Sequence, residues 1–307
     1  MNTEQGVLRL SIIMTFIVAA VGVGFGILSG SASIIFDGIY SLTDASMTVV
    51  ALIVANLITA RLSEKRQARL VKHFTMGFWH LEPMVLGLNG VLLTGAAIYA
   101  LVTAIGSIMA GGRDLNFGGA IIYAVVVVTA AVAMAVNNYR ANRKIKSGFV
   151  ALDAQGWAMS AALTGALLIA FIFGWLIQGT EWQWMTPYVD PVALALVCIV
   201  VIPLPIPTIR RALADILLVT PTDLKAHIDQ IAARTVEAQG FLGYRAYVAR
   251  VGRGRQIELF FIVPTGLPPR PLEDWDAIRD QIGHEIGGES PDRWLTIAFT
   301  TDLEWAE

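Results

Sequence analysis

The 307 residues are 55% hydrophobic and only 15% charged, with a mean hydropathy of +0.63. Soluble globular chains carry about a quarter charged residues, so this balance excludes an all-soluble chain and indicates an integral membrane protein. A net charge of −2 gives no footing for a nucleic-acid partner, and a single cysteine, Cys198, excludes an internal disulfide and a thiolate cluster.

Runs of about 20 apolar residues predict six membrane spans. The first covers Val7–Leu28. Glu4 precedes Arg9, and the apolar run behind them is of span length, which argues against a cleaved signal peptide. Gly22, Gly24 and Gly26 in this span read as sites of close helix approach, and no GxxxxGK[ST] phosphate loop occurs.

Span two, Ile34–Ala60, carries two acids inside its apolar run. Asp37, Tyr40 and Asp44 stand at i, i+3 and i+7, so one helix face presents all three oxygens. A carboxylate in hydrocarbon costs at least a few kcal/mol, so an intramembrane acid marks a functional site by default. Asp37, nearer the start of the run, is also placed to snorkel to water.

The link to span three holds Arg61, Lys65, Arg66, Arg69 and Lys72, followed by His73, His80 and Glu82. Glu82 suits a helix N-terminus without any metal. Span three is predicted over Pro83–Ala110, with Asn89 and Thr94 as helix-packing groups. Span four, Gly118–Val136, is expected to end before Asn137 and Asn138.

Arg140, Arg143, Lys144 and Lys146 lead into span five, Phe149–Ile177. Its opening repeats the pattern of span two. In register, Asp153 falls on Asp37, Gly156 on Tyr40, Ser160 on Asp44 and Thr164 on Thr48. Two helices with matching polar stripes are suited to sharing a cation between them.

Trp182, Trp184 and Tyr188 fit an aromatic interface belt before span six, Pro191–Ile209; Trp79 fits the opposite belt. Arg210 and Arg211 follow span six. The intervening loops on the other side hold only Arg113 and, between Gly179 and Asp190, no basic residue. The positive-inside rule therefore puts both termini in the cytoplasm, in the inner (plasma) membrane.

From residue 212 the composition becomes that of a soluble domain. Thr222 is expected to cap a helix running to about Glu237. Strands are predicted over Tyr244–Val251 and Gln256–Val263, then a helix over Leu272–Ile286 and a strand over Trp294–Thr300. The αββαβ order makes a small α+β domain that a second subunit would help to stabilise. The fold class is thus mainly α: six transmembrane helices in residues 1–211 and a cytoplasmic α+β dimerisation domain in 212–307.

Three local motifs occur in order along the chain. Phe36-Asp37-Gly38-Ile39-Tyr40-Ser41-Leu42-Thr43-Asp44 resembles the second-span signature of the cation diffusion facilitator family. Gly77-Phe78-Trp79-His80-Leu81-Glu82-Pro83 resembles that family's glycine-to-glutamate motif before span three, and Tyr188-Val189-Asp190-Pro191 its opening of span six. The resemblance implies a homodimeric antiporter exchanging a divalent cation for protons. It implies a central site at Tyr40 and Asp44 from span two and at Gly156 and Ser160 from span five. The family's span-five His and Asp are absent here. The resemblance also implies a ferredoxin-like, metallochaperone-like tail, expected here to be a scaffold with few metal ligands beyond His227, His284 and Asp302.

The chemistry of the candidate ligands points the same way. Zinc favours imidazole and thiolate, whereas Asp37, Tyr40, Asp44, Asp153 and Ser160, with Gln155 beside them, offer oxygen alone. Such a set suits Mg²⁺, Mn²⁺ or Fe²⁺ ahead of Zn²⁺. His73, His80 and Glu82 are candidates for a cytoplasmic mouth. Proton-coupled export of a divalent metal is the leading reading. Na⁺/H⁺ antiport and a non-transporting dimerisation role are the alternatives. No enzyme is expected, because the spans hold no Ser/His, Cys/His or HExxH arrangement.

Overall fold

The structure, a computed structural model, describes residues 4–58, 77–145 and 148–307. Among the described residues six helical stretches are long and apolar enough to cross a membrane, the sixth being the run Gln183–Ile216. They begin with α1 (Glu4–Ser29), α2 (Ala32–Ile58), α3 (Leu81–Met109), α4 (Phe117–Ile145) and α5 (Gly148–Leu176). A 3-10 turn at Gln183–Tyr188 leads into α6 (Val189–Val201), and α7 (Ile206–Ile216) follows it. Their outward surface is apolar, with Val102, Ile122 and Ile169 all strongly exposed, as contact with acyl chains requires.

Two departures from the hydropathy pattern have physical causes. Helix α4 does not stop at Val136 but runs on through Asn137 and Asn138 to Ile145. Its polar end carries Arg140, Ala141, Arg143 and Lys144, good helix formers that keep the helix going where the apolar run ends. Span six is interrupted after Val201, where Pro203 and Pro205 each lack the N–H that a helix interior needs.

Two compact units divide the chain: Met1–Val50 with Leu88–Ile209, and Ala51–Gly87 with Arg210–Glu307. In the first, α4 packs along α5, and α1 lies against both. Ile34, Phe117, Tyr123, Leu167 and Phe171 form one core. Phe36 of α2, Ala97 and Ala104 of α3, and Leu194 and Cys198 of α6 form another.

Helices α1 and α2 approach closely at small residues. A Cβ on Gly38 would lie 2.8 Å from the backbone N of Val23, and one on Gly22 would lie 2.7 Å from the Tyr123 hydroxyl. A Cβ on Gly26 would lie 2.7 Å from the backbone N of Ile35, whereas Gly24 has open space beside it and plays no part in the crossing. The start of α2 is fixed by Asp190 of α6. Its buried carboxylate accepts the Ala32 N–H at 2.9 Å, the Ser31 hydroxyl at 2.5 Å and the Ser33 hydroxyl. These bonds satisfy donors that a helix N-terminus leaves orphaned, and an acid there also suits the helix dipole.

In the second unit, α8 (Thr222–Gln239), β1 (Gly243–Val251), β2 (Gly254–Ile262), α9 (Leu272–Ile286) and β3 (Arg293–Thr300) follow the expected αββαβ order. The sheet order is β1-β2-β3, with β1 antiparallel and β3 parallel to the central β2. Ile228 and Ile231 of α8, Leu259 and Phe261 of β2, and Ile282 of α9 fill its core. Pro221, not Thr222, holds the N-cap position of α8, and no side chain caps it. The hairpin is tighter than expected: only Gly252 and Arg253 separate the strands, with Gly252 at φ +60°.

Candidate functional site

Helix α2 carries the acids, and α-helical geometry decides which of them can act together. At 1.5 Å per residue, Asp37 and Asp44 lie about 10.5 Å apart along the axis, and Asp153 and Ser160 on α5 are separated alike. A cation holds oxygens at roughly 2.0–2.6 Å, so neither pair binds one ion directly. The five candidate residues therefore divide into separate polar settings.

Asp37 is held by two neutral donors. The Tyr123 hydroxyl of α4 and the Thr164 hydroxyl of α5 each donate to its Oδ2 at 3.2 Å. Beside it is a small cavity lined by Ser33, Phe36, Tyr40, Leu163 and Leu194. Tyr40 packs its ring on Phe36, centroids 5.5 Å apart, and its oxygen shares the helix face of Asp37 and Asp44.

Asp153 sits in a three-helix knot. Ser11 of α1 donates to its Oδ1 at 2.8 Å and Asn138 of α4 to its Oδ2 at 2.6 Å. The Trp157 indole N–H donates to the Ser11 hydroxyl at 2.5 Å, and Asn137 donates to Asn138 at 3.2 Å. Asn138 is fully buried. Ser11 and Asn138 were not legible as site residues, because their partner is 142 and 15 residues away. The available signal was a lone serine in an apolar run and an Asn at the end of one.

Asp44 is exposed, and its carboxylate accepts a hydrogen bond from Asn89 Nδ2 of α3 at 3.2 Å. Gly156 is exposed with open space around its Cα, and Ser160 is partly buried on the same helix. Among the described residues no group of three or more His, Cys, Asp or Glu side chains converges. Any ion seated here would meet one or two carboxylates and neutral oxygens, the environment of a hard cation.

The candidate mouth residues lie elsewhere. Glu82 is engaged by the tail's hairpin: its Oε2 accepts Arg253 Nε at 2.9 Å and the Arg253 backbone N–H at 3.3 Å. Trp79 stands against Gly254, where a Cβ would come within 2.7 Å of the indole, so it packs on protein. His80 is exposed, and His73 lies outside the described residues.

The sequence profile of the cation efflux transmembrane domain matches residues 8–217. The chain belongs to the cation efflux family. Membership makes it a membrane-embedded cation transporter. Comparison with curated proteins gives no match. Within this family member, the stretch matched includes α2, α5 and the carboxylates of Asp37, Asp44, Glu82, Asp153 and Asp190, while Arg253 lies beyond it.

Proposed function

We propose that this transporter exports a divalent cation, of the class Mn²⁺, Mg²⁺, Fe²⁺ or Zn²⁺, from the cytoplasm in exchange for protons. One observation carries the reading: Asp37, Asp44 and Asp153 stand on spanning helices of the cation efflux domain, and the hydrogen bonds their carboxylates accept among the described residues come from neutral donors, none from a basic side chain. Carboxylate charge left without a basic partner in an apolar bundle is relieved when a cation or a proton joins it. Cation release with proton uptake, and the reverse, is the exchange that follows.

In this reading Asp44 is the principal ligand, with Tyr40 and Ser160 as neutral oxygens from the same two helices. Asp37 and Asp153 flank the seat. An exposed carboxylate on a spanning helix is tolerated where it borders water or a second subunit, and a homodimer would supply such a border. Residues 1–211 form the transport domain and 212–307 the dimerisation domain, with both termini cytoplasmic. His80 and Glu82 stand outside the seat, and the chain is a carrier rather than an enzyme.

The test is proton flux in liposomes reconstituted with the purified protein and charged with one cation at a time. A divalent-dependent flux that disappears in Asp44→Asn supports the proposal. Flux with Na⁺ alone would convert the reading to Na⁺/H⁺ antiport. No flux with any cation would leave the dimerisation role.

A further inference from the structure

Helix α3 contributes one side chain to the surroundings of Asp44, and its hydrogen bonding is incomplete. Asn89 Nδ2 donates to Asp44 Oδ1, while Asn89 Oδ1 is buried with no hydrogen-bond partner among the described residues. An acceptor left unpaired in a protein interior is costly and rare, so it calls for an explanation. The orientation of the amide is fixed by its neighbour: exchanging its N and O would set an oxygen against the Asp44 carboxylate. Asp44 thus turns the amide oxygen toward a place where none of the described residues donates to it.

We propose that Asn89 is a cation ligand, its amide oxygen supplying from α3 part of what α5 lacks at Gly156 and Ser160. This rests on the reading of Asp44 as the principal ligand. When a cation meets Asp44, the donor side of the amide has no further use there, and rotation about the terminal side-chain bond brings Oδ1 round to the ion. The spacing suits it. Two neighbouring oxygens on one ion at roughly 2.0–2.2 Å lie about 3 Å apart, and Asn89 and Asp44 already stand 3.2 Å apart. Amide oxygens are ligands of hard cations, so the residue would favour Mn²⁺ or Mg²⁺ over Zn²⁺. Thr94 on α3 also has a buried, unpartnered hydroxyl, but five residues on it points to another side of the helix.

The test uses the full chain in phosphatidylethanolamine/phosphatidylglycerol vesicles, with initial rates of Mn²⁺ and Zn²⁺ transport over a range of concentrations. Asn89→Leu is expected to raise the half-saturating Mn²⁺ concentration by roughly tenfold or more, with little change in maximal rate. Asn89→Asp is expected to restore Mn²⁺ affinity, and Asn89→His to move the Mn²⁺/Zn²⁺ preference toward zinc. A wild-type half-saturation in Asn89→Leu would overturn the inference, as would a His variant with the wild-type Mn²⁺/Zn²⁺ preference should the Leu variant fail to fold. Asp44→Asn is measured in parallel. If it abolishes transport while Asn89→Leu is normal, only Asn89 falls. If Asp44→Asn transports normally, or wild-type vesicles pass neither metal, the proposed function fails and this inference with it.

Discussion

Single carboxylates in this bundle differ by the company they keep, and their substitutions should differ accordingly. The Asp44 carboxylate accepts from the neutral amide of Asn89 and is exposed. Asp44→Asn keeps the shape and loses only the charge, so we expect transport to vanish with the melting temperature nearly unchanged. Asp153 accepts two strong donors on separate oxygens. An Asn there offers one acceptor and one amide group, so one of Ser11 or Asn138 loses its partner. Asp153→Asn should therefore destabilise by about 1–3 kcal/mol as well as impair transport, whereas Ser160→Ala should do less of both. Thermal melting alongside flux distinguishes these cases. An Asp153→Asn variant that melts like the wild type would show that the three-helix knot does not carry that load. Cation affinity should also fall as pH falls, because protons compete for the same carboxylate oxygens. A binding isotherm unchanged between neutral and acid pH would contradict a carboxylate seat.

At the scale of the helix, what positions Asp37 and Asp44 is the way α2 is gripped at its start and along its side. Asp190 ties its N-terminus, and Gly38 lets α1 come within contact of its backbone. Gly38→Leu should force the two helices apart and cost about 1–3 kcal/mol, the usual penalty of overpacking, while Gly24→Ala, with open space beside it, should be neutral. Equal melting temperatures for the two variants would refute this account of the crossing. The helices themselves were legible in the sequence because apolar runs of span length report directly on burial in a bilayer, and the αββαβ tail was legible from its change in period. Their ends were less so. Hydropathy falls at Val136, yet helix-forming residues carry α4 on to Ile145, and the break after Val201 needed Pro203 and Pro205 to be weighed as interruptions. The acids of the site stood out as charges in apolar runs. Ser11, Asn89, Asn138 and Tyr123 did not, because a neutral polar residue acquires its role only from a partner brought close by folding.

For the molecule as a whole, orientation and assembly are the properties that make a cation seat into an exporter. The basic residues cluster in 61–72, 140–146 and 210–211, and the proposed orientation, in which these segments are cytoplasmic, rests on the positive-inside rule. Cys198 is buried, so single cysteines introduced by Arg66→Cys and Arg113→Cys can be labelled against a low background. We expect a membrane-impermeant thiol reagent to reach position 113 from outside and position 66 only after permeabilisation; the opposite pattern would invert the proposed direction of transport. The tail is a small domain with its own core, and a domain of about 90 residues buries less of its surface than a larger one and gains from a second copy. Removing residues 215–307 should then weaken self-association in mild detergent by sedimentation or light scattering. The same deletion removes Arg253 from Glu82 at the start of α3, the helix that carries Asn89. Arg253→Ala separates the two effects: it breaks this partly buried ion pair while leaving the tail in place, so association should survive. A full-length protein that is strictly monomeric under these conditions would remove the dimer from the proposal and leave the border of Asp44 to water alone.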